Sequence, residues 1–439
     1  MRSSIVLYLV LFAVTAAAQV DEDPGPSILS RGVGTAMQAG GTLPTIQPFL
    51  SLGGVYDTAL TAVSVNAVGQ IPETAGYGGE VGFGILGYKR GRRTLVGIDY
   101  RGSVRMYSGH SYYDGSDHLL SLNVTQQLTS RTSLVLTEAA GSYSRYSGMI
   151  SGYSPFDPAI AGVPANELFD SRTTYLSSIA NLRMQKSARL SFGIGGSGTL
   201  IRRRSGGLVG STGWGANGDV SYRIRRDIVL GADYTFAHTQ FTRAYGNSEV
   251  HSAGFNVTFR LGRRWQLGLR AGGARVVTES LFRVDFDPIV AAILGRPYAV
   301  LPFSRTNYIP SSSAKLSRVF RRSVFSLDYR NEPVAGNGVY TTSKSQSAGA
   351  SYSFSGLRRV NLGVSGGYST YSSLSQDLGR YSSLTGGGGA TYRLKTWLHL
   401  SAGYNVRKYE VSQGTFRRLA HRATVGLAFS PGERPLPLR

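Results

Sequence analysis

The chain contains no cysteine among its 439 residues. Disulfides, thiol catalysis, cysteine-ligated metals and a lipid anchor on cysteine are therefore excluded. After residue 18, no apolar run approaches the ~20 residues that a membrane-spanning helix requires. Charged residues make up only 16% of the chain. A soluble protein of this size normally shows apolar runs or helical patterns that build a core, and here the apolar residues are thinly spread.

The first residues are typical of an export signal. A short basic start, Met1-Arg2, precedes the apolar run Ile5–Val14, and Ala16-Ala17-Ala18 supplies small residues before Gln19. This pattern predicts a signal peptide over residues 1–18, because the run is too short to cross a bilayer as a helix. Residues 19–45 are rich in Gly, Pro and acidic residues, which predicts a flexible segment on the periplasmic side.

From Tyr77 to Phe429 the chain repeats one pattern, in which about ten residues alternate between large apolar and small or polar side chains. In one copy, Phe255, Val257 and Phe259 alternate with Asn256, Thr258 and Arg260. A period of two indicates a strand with one apolar and one polar face. Many such strands, without helices to cover them, predict an all-β protein that forms a closed antiparallel transmembrane barrel.

The breaks between these strands alternate in length. Eight short breaks, such as Arg225–Asp227, alternate with nine longer ones, such as Ser147–Arg172. Outer-membrane barrels show this asymmetry, with short periplasmic turns and long extracellular loops. We therefore predict eighteen strands in a barrel over residues 46–430, followed by a tail at 431–439. Sixteen strands is the alternative, because Leu60–Val68 could itself be a strand.

One long break contains a helical pattern. In Asp285–Arg305, Asp287 suits an N-cap, Pro288 the first helical position and Gly295 the C-cap. This apolar turn is expected either to fold into the barrel mouth or to pack against neighbouring loops.

Aromatic residues lie near the predicted strand ends or on the outward parity, as in the belts that flank an apolar band. They are Tyr88, Tyr100, Tyr107, Trp214, Tyr222, Tyr234, Trp265, Tyr329, Tyr368, Tyr392, Trp397 and Tyr404.

Basic residues are concentrated at the short breaks. The whole chain has a net charge of +22, and sixteen Lys and Arg against one Asp lie in or beside the eight short breaks, a net +15. A DNA-binding face would cluster on one element, whereas these charges recur once per hairpin, so we expect no nucleic-acid partner. We predict instead a rim that contacts anionic lipid, worth ~1 kcal/mol per basic group. The rim residues are Arg92, Arg93, Arg225, Arg226, Arg263, Arg264, Arg321, Arg322, Arg358 and Arg359.

The remaining strand charges share the parity of the polar face. A charge on the lipid side at mid-membrane costs ~2–4 kcal/mol, so the inward orientation is favoured. These residues are interpreted either as an arginine-dominated wall that prefers anions or as a network that braces the wall. They are Asp99, Arg101, Arg105, Arg183, Asp219, Arg223, Asp233, Arg260, Arg270, Asp328, Arg330 and Arg407.

Eighteen strands ~4.8 Å apart and tilted by ~40° give a diameter of ~36 Å. Side chains alone cannot fill that space, so the lumen is either aqueous or occupied by loops.

No motif for catalysis, a metal or a cofactor stands out. The six histidines show no metal-ligand spacing. The pairs His110-Ser111 and His251-Ser252 are weak candidates for a hydrolytic site. Gly386–Gly389 lies inside an alternating strand and lacks the lysine and helix of a phosphate loop. We expect no enzyme, no metal and no cofactor.

The first and last strands carry a resemblance to known proteins. Pro48–Asp57 looks like the first strand of porin-like outer-membrane barrels, and Thr424–Phe429 is similar to their C-terminal insertion signal. The chain as a whole resembles Gram-negative outer-membrane β-barrels, although it continues past Phe429 to Arg439.

This resemblance implies residence in the cell outer membrane, with outer-membrane lipid and the barrel-assembly machinery as partners. It also implies a pore for passive diffusion of small hydrophilic solutes, one that would prefer anions if the arginine wall acts as a filter. Two alternatives are a barrel that exports or assembles a polymer such as a polysaccharide, and a structural or adhesive surface barrel.

Overall fold

The structure is a computed structural model. It describes residues 45–58, 75–109, 114–143, 172–204, 208–262, 264–320, 322–335, 340–354, 357, 359–374, 380–411, 417–430 and 434–435. The predicted signal peptide, most of the predicted periplasmic segment and Leu60–Val68 lie outside these residues.

The described part of the chain contains eighteen long strands and one short helix, α1, at Pro288–Leu294. The first nine strands are β1 Thr45–Asp57, β2 Gly76–Arg90, β3 Thr94–Tyr107, β4 Gly115–Gln127, β5 Thr132–Tyr143, β6 Thr173–Gln185, β7 Leu190–Arg203, β8 Gly210–Arg223 and β9 Ile228–Thr242. The second nine are β10 Asn247–Leu261, β11 Trp265–Asp285, β12 Tyr298–Val319, β13 Ser323–Ala335, β14 Thr342–Phe354, β15 Val360–Ser373, β16 Arg380–Arg393, β17 Leu398–Val411 and β18 Arg417–Phe429.

Each strand pairs antiparallel with the next strand in the sequence, and the ring closes between the last strand and the first. Leu52 of β1 pairs with Leu427 of β18 on one side and with Val81 of β2 on the other. Closure gives each of the eighteen strands two neighbours with which it exchanges backbone hydrogen bonds. The predicted closed antiparallel barrel with eighteen strands is confirmed, and the sixteen-strand alternative is wrong.

The connections alternate as the sequence predicts, with short turns at one end of the barrel and longer connections at the other. We call these the short-turn end and the long-loop end. In the turn after β8, the backbone amides of Ile224 and Arg225 both donate to the carbonyl of Ile228.

The predicted helical turn is present as α1. The carboxylate of Asp287 accepts a hydrogen bond from the Ile289 amide at 2.9 Å, and Gly295 ends the helix at φ 63°, a left-handed conformation that glycine adopts without strain. Ile289 and Ile293 are 73% and 79% exposed. Most of the neighbouring loops lie outside the described residues, so the packing of α1 in the mouth or against those loops stays a prediction.

The strand after α1, β12, is longer than predicted, because it begins at Tyr298 inside the predicted break. Pairing between β11 and β12 extends to Asp285 and Tyr298, so much of the predicted loop Asp285–Arg305 is hairpin. β10 pairs with β11 only as far as Thr278, and β13 pairs with β12 only from Ser312 onward. Beyond these residues, the backbone hydrogen bonds of the hairpin run between β11 and β12.

Alternation gives the barrel two chemically different faces. Large apolar residues such as Leu52, Phe255 and Leu427 are exposed on the outer face. Tyr88 and Tyr107, which we grouped with the aromatic belts, have the opposite parity and are buried on the inner face.

After β18, the chain continues along the edge that the first strand offers. The amide of Ser430 donates to the carbonyl of Trp397 at 2.9 Å. Arg434–Pro435, β19, then pairs with Ile46 and Thr45. Part of the predicted tail thus lies beside β1, and β1 begins one residue earlier than predicted. Among the described residues, no helix has the length and apolarity needed to cross a membrane.

Candidate functional site

The candidate site is the inner wall of the barrel. Strand register places all twelve predicted pore-lining side chains on the face opposite to the exposed apolar residues, although their role in a pore stays a prediction. The register that fixes this face pairs Asp99 with Leu86, Arg183 with Gly193, Asp233 with Asp219, Arg270 with Asn256, Arg330 with Ser313 and Arg407 with Thr385.

Two of the predicted arginines are compensated by ion pairs on β3 and β4. The guanidinium of Arg101 binds the Asp99 carboxylate, with Nη2 and Oδ2 3.1 Å apart, and Arg105 binds Asp117. Arg101 and Arg105 are only 4% and 1% exposed. A buried charge with a bound counter-charge contributes little field to passing solute, so this geometry favours the bracing interpretation for these two residues.

A second network crosses four strands at β9–β12. Arg270 Nη2 lies 2.6 Å from Asp233 Oδ2, and the same guanidinium donates to Ser252 and Ser311. Asn256 donates to the other oxygen of Asp233 at 3.2 Å. Since each strand contributes at least one member, the network ties four neighbouring strands together on the inner face.

Glycine makes room for this network. A Cβ built on Gly254 would lie 2.9 Å from Arg270 Cζ, so the guanidinium rests directly on the glycine backbone. Gly193 likewise leaves space for the Asp219 carboxylate, which lies over its backbone. Gly193 pairs with Asp219 of β8 on one side and with Arg183 of β6 on the other.

Other predicted residues lie at separate places on the wall. Asp328 is opposite Lys315, and Arg330 follows two residues later on β13. Arg407 donates through Nε to the hydroxyl of Ser383 at 3.4 Å.

Arg223 and Arg260 lie on the inner face at the short-turn end, as do Arg90 and Arg393, the last residues of β2 and β16. Arg223 is the last residue of β8, and Arg260 lies two strands away, beside the last residue of β10. None of the described carboxylates forms an ion pair with Arg260. Arg223 and Arg260 place positive charge close to the opening at this end.

Sequence reasoning missed Glu80, Arg422 and Asp117. Glu80 of β2 binds Arg422 of β18 at 3.0 Å. The parity rule would have found both, since Glu80 alternates with Val81 and Arg422 with His421. The sequence places Asp117 at the end of a long break, Tyr107–Asp117, whereas in the structure it is the third residue of β4.

The inner face of β14–β16 is uncharged apart from Arg393 at the short-turn end of β16. On β14, every second residue from Ser343 to Ser353 faces inward, and all but Gly349 are serines. The hydroxyls of Ser351 and Ser326 are 2.6 Å apart. This surface can donate and accept hydrogen bonds without a fixed charge.

Near the long-loop end, the inner face carries aromatic rings. Tyr143 and Tyr175 pack with Leu119 and Ala139 in one buried cluster, with ring centroids 6.1 Å apart. Across the barrel on β15 and β16, Tyr371 and Tyr381 form a similar pair, also 6.1 Å apart and buried. These two clusters are apolar, aromatic patches on the inner face near the long-loop end, where the Arg105–Asp117 pair also lies.

The predicted basic rim is described in part. Arg92, Arg93, Arg225, Arg226, Arg264, Arg322 and Arg359 are exposed at the short-turn end. Arg263, Arg321 and Arg358 lie outside the described residues.

The weak hydrolytic candidates are not assembled. His251 and Ser252 are consecutive in β10 and so point to opposite faces. His251 contacts Tyr234 on the outside, while Ser252 binds Arg270 on the inside. The pair His110-Ser111 lies outside the described residues. Within the described ranges, no group of three or more His, Asp or Glu could hold a metal ion.

Comparison with known proteins gives a likeness of fold. No family model matches the chain, and no curated protein matches it. Among solved structures, it is similar to the outer membrane protein OpdK from Pseudomonas aeruginosa, at 13% identity and a TM-score of 0.43, with 89% of this chain and 100% of that chain covered.

Pseudomonas aeruginosa OpdL is 14% identical with a TM-score of 0.41, covering 88% of this chain and 99% of its own. OccK5 (OpdH) from the same organism is 11% identical with a TM-score of 0.42, covering 88% and 98%. At these identities, the likeness transfers neither a function nor a substrate.

Proposed function

We propose that this chain is an outer-membrane channel through which small hydrophilic solutes diffuse passively. The observation that carries the proposal is the closed ring of eighteen strands with an apolar outer face and a polar inner face. The outer face suits lipid, and a ring ~36 Å across is too wide for its own side chains to fill. The serine wall of β14 offers hydrogen bonds to a hydrated solute.

In this proposal, the short turns face the periplasm and the long loops face outward. The exposed arginines of the turns then lie at the level of anionic phospholipid headgroups, which attract them. The predicted signal peptide at residues 1–18 supplies export, and the strand ending at Phe429 supplies recognition by the barrel-assembly machinery.

We also propose a preference for anions, carried by the short-turn opening. Arg223 and Arg260 lie there, and Arg260 forms no ion pair with a described carboxylate, whereas Arg101, Arg105 and Arg270 are bound to carboxylates. Of the arginine wall predicted from the sequence, this proposal keeps the residues at the opening as the filter and treats the compensated arginines as braces.

Conductance in planar bilayers tests the channel. The protein should be purified in detergent and its folding shown by a cooperative unfolding transition before insertion. We expect stepwise, ohmic current increments in potassium chloride. Well-folded barrels that insert into the bilayer but carry no current would contradict an open channel.

A further inference from the structure

Four side chains form a straight row on the outer face of β9–β12, near the long-loop end. Strand register pairs Phe236 with His251, His251 with Arg275, and Arg275 with Tyr308. The row shares the outer face with Phe255, which is 77% exposed. Its members therefore face the surroundings of the barrel and have no access to the lumen.

The histidine of this row is held in place by aromatic neighbours. Tyr234 Oη lies 2.7 Å from His251 Nδ1, and the rings of Phe236 and His251 have centroids 4.9 Å apart. With Nδ1 engaged by the tyrosine hydroxyl, Nε2 remains available to a group outside the protein.

Beside the row lies a groove of about 550 Å³. His251, Tyr234, Arg275 and Tyr308 line its sides. Ala253 and Gly273, directly opposite each other, leave its floor without large side chains. Tyr308 is 79% exposed, so the groove opens outward.

The electrostatics of the groove call for an anion. Arg275 carries a fixed positive charge directly opposite His251, whose Nε2 can donate a hydrogen bond to an anion. The nearest outward carboxylates are engaged elsewhere: Glu249 lies 3.3 Å from His238 Nδ1, and Glu279 accepts from Asn247 at 2.7 Å. No described carboxylate forms an ion pair with Arg275.

The position of the row identifies the anion. His251 is the fifth residue of β10 counted from the long-loop end, at the height where aromatic girdles meet lipid headgroups. Arginine binds phosphate with two parallel hydrogen bonds, which suits a phosphorylated headgroup.

We propose that this groove binds the phosphate of an outer-leaflet lipid headgroup, with Arg275 as the main contact and His251 Nε2 as a second donor. The proposal requires the barrel to sit in the outer membrane with its long loops outward, and it does not depend on channel activity.

The same chain contains internal comparisons. Tyr100 and His118 are 3.0 Å apart, and Tyr404 and His421 are 2.6 Å apart, in the same diagonal arrangement on the outer face. Neither histidine has an arginine opposite it: Gly102 pairs with His118, and Val406 with His421. These two pairs therefore have the same tyrosine–histidine contact as Tyr234 and His251, but no arginine opposite the histidine.

Native mass spectrometry of the full chain in detergent tests the proposal. The probes are lipid A, which carries phosphates on a glucosamine disaccharide, and the same lipid with its phosphates removed. We expect the wild type to retain lipid A, Arg275→Gln to lower its apparent affinity about tenfold or more, and His251→Gln to lower it less.

Two control variants separate the groove from general charge and from the belt. Arg318→Gln removes an outward arginine at the short-turn end, where its guanidinium stacks 4.7 Å from the Trp265 ring. His118→Gln removes a belt histidine. Both should retain lipid A as the wild type does, and all variants should show the wild-type unfolding transition.

Three results would overturn the proposal. Arg275→Gln could retain lipid A as well as the wild type, or the dephosphorylated lipid could bind equally well. Inorganic phosphate could also displace lipid A at equal phosphate concentration, which would make the groove a site for free phosphate.

Discussion

Glu80 of β2 and Arg422 of β18 bind each other at 3.0 Å across the inner face of β1. They are 342 residues apart in the chain, and the strand between them is the one that closes the ring. Arg422 is 7% exposed and Glu80 18%. The pair therefore bridges the seam where the end of the barrel meets its beginning.

Removing one partner of this pair should destabilise the barrel, because the other charge remains largely buried. We expect Arg422→Gln or Glu80→Gln to lower the free energy of unfolding by about 1.5–3 kcal/mol. The double variant should lose less than the sum of the two. Urea unfolding in lipid vesicles measures this cycle, with the exposed pair Lys408 and Glu410, 3.8 Å apart, as a control that changes stability by less than about 1 kcal/mol.

Anion preference should depend on the short-turn opening. Replacing Arg223 and Arg260 by Gln removes two positive charges that solute must pass, and should lower the chloride-to-potassium permeability ratio about 1.5- to 2-fold. Reversal potentials across a salt gradient measure the ratio. The control pair Asp99→Asn and Arg101→Gln keeps the net charge and should leave the ratio unchanged. If the control variant lowered the permeability ratio and the Arg223 and Arg260 variant did not, the filter would lie at the arginines that are paired with carboxylates.

The sequence predicts the barrel well because alternation and break length are local properties of the chain. Parity alone places Arg270 and Asp233 on the inner face. It cannot tell that they bind each other, since that contact depends on which strands are adjacent and on the space left by Gly254. Parity likewise leaves Arg105 open to both interpretations, filter or brace, because its partner Asp117 falls at the end of the predicted break Tyr107–Asp117.

The hairpin β11–β12 shows a second limit. Beyond Thr278 and Ser312, β11 and β12 form strand pairs only with each other. The apolar α1 and the turn residues around it suggested a loop over the whole segment. The caps of α1 were predictable because Asp287 and Gly295 act through their own backbone, whereas the length of the hairpin depends on pairing between its two arms.

The network around Arg270 should be sensitive to one methyl group. Gly254→Ala places a Cβ 2.9 Å from Arg270 Cζ, and the guanidinium must move away from Asp233. We expect a loss of about 1–3 kcal/mol in the free energy of unfolding. Gly268→Ala is the matched control on the same face, because its nearest atom would be 4.0 Å away. If the two variants had equal free energies of unfolding, moving the Arg270 guanidinium away from Asp233 would cost no stability.

Glu138 should be a source of instability in the lipid-facing wall. It lies midway along β5, opposite Leu122 of β4 and Ser178 of β6, on the outer face. The Ser178 hydroxyl donates one hydrogen bond to its carboxylate. The other acceptor positions of the carboxylate face hydrocarbon. Glu138→Leu should therefore raise the free energy of unfolding in vesicles by about 1–2 kcal/mol. Glu249→Leu, near the long-loop end, should raise the free energy of unfolding by less, because headgroups and water reach the Glu249 carboxylate. A loss of stability in Glu138→Leu would indicate that this face is covered by protein instead of lipid.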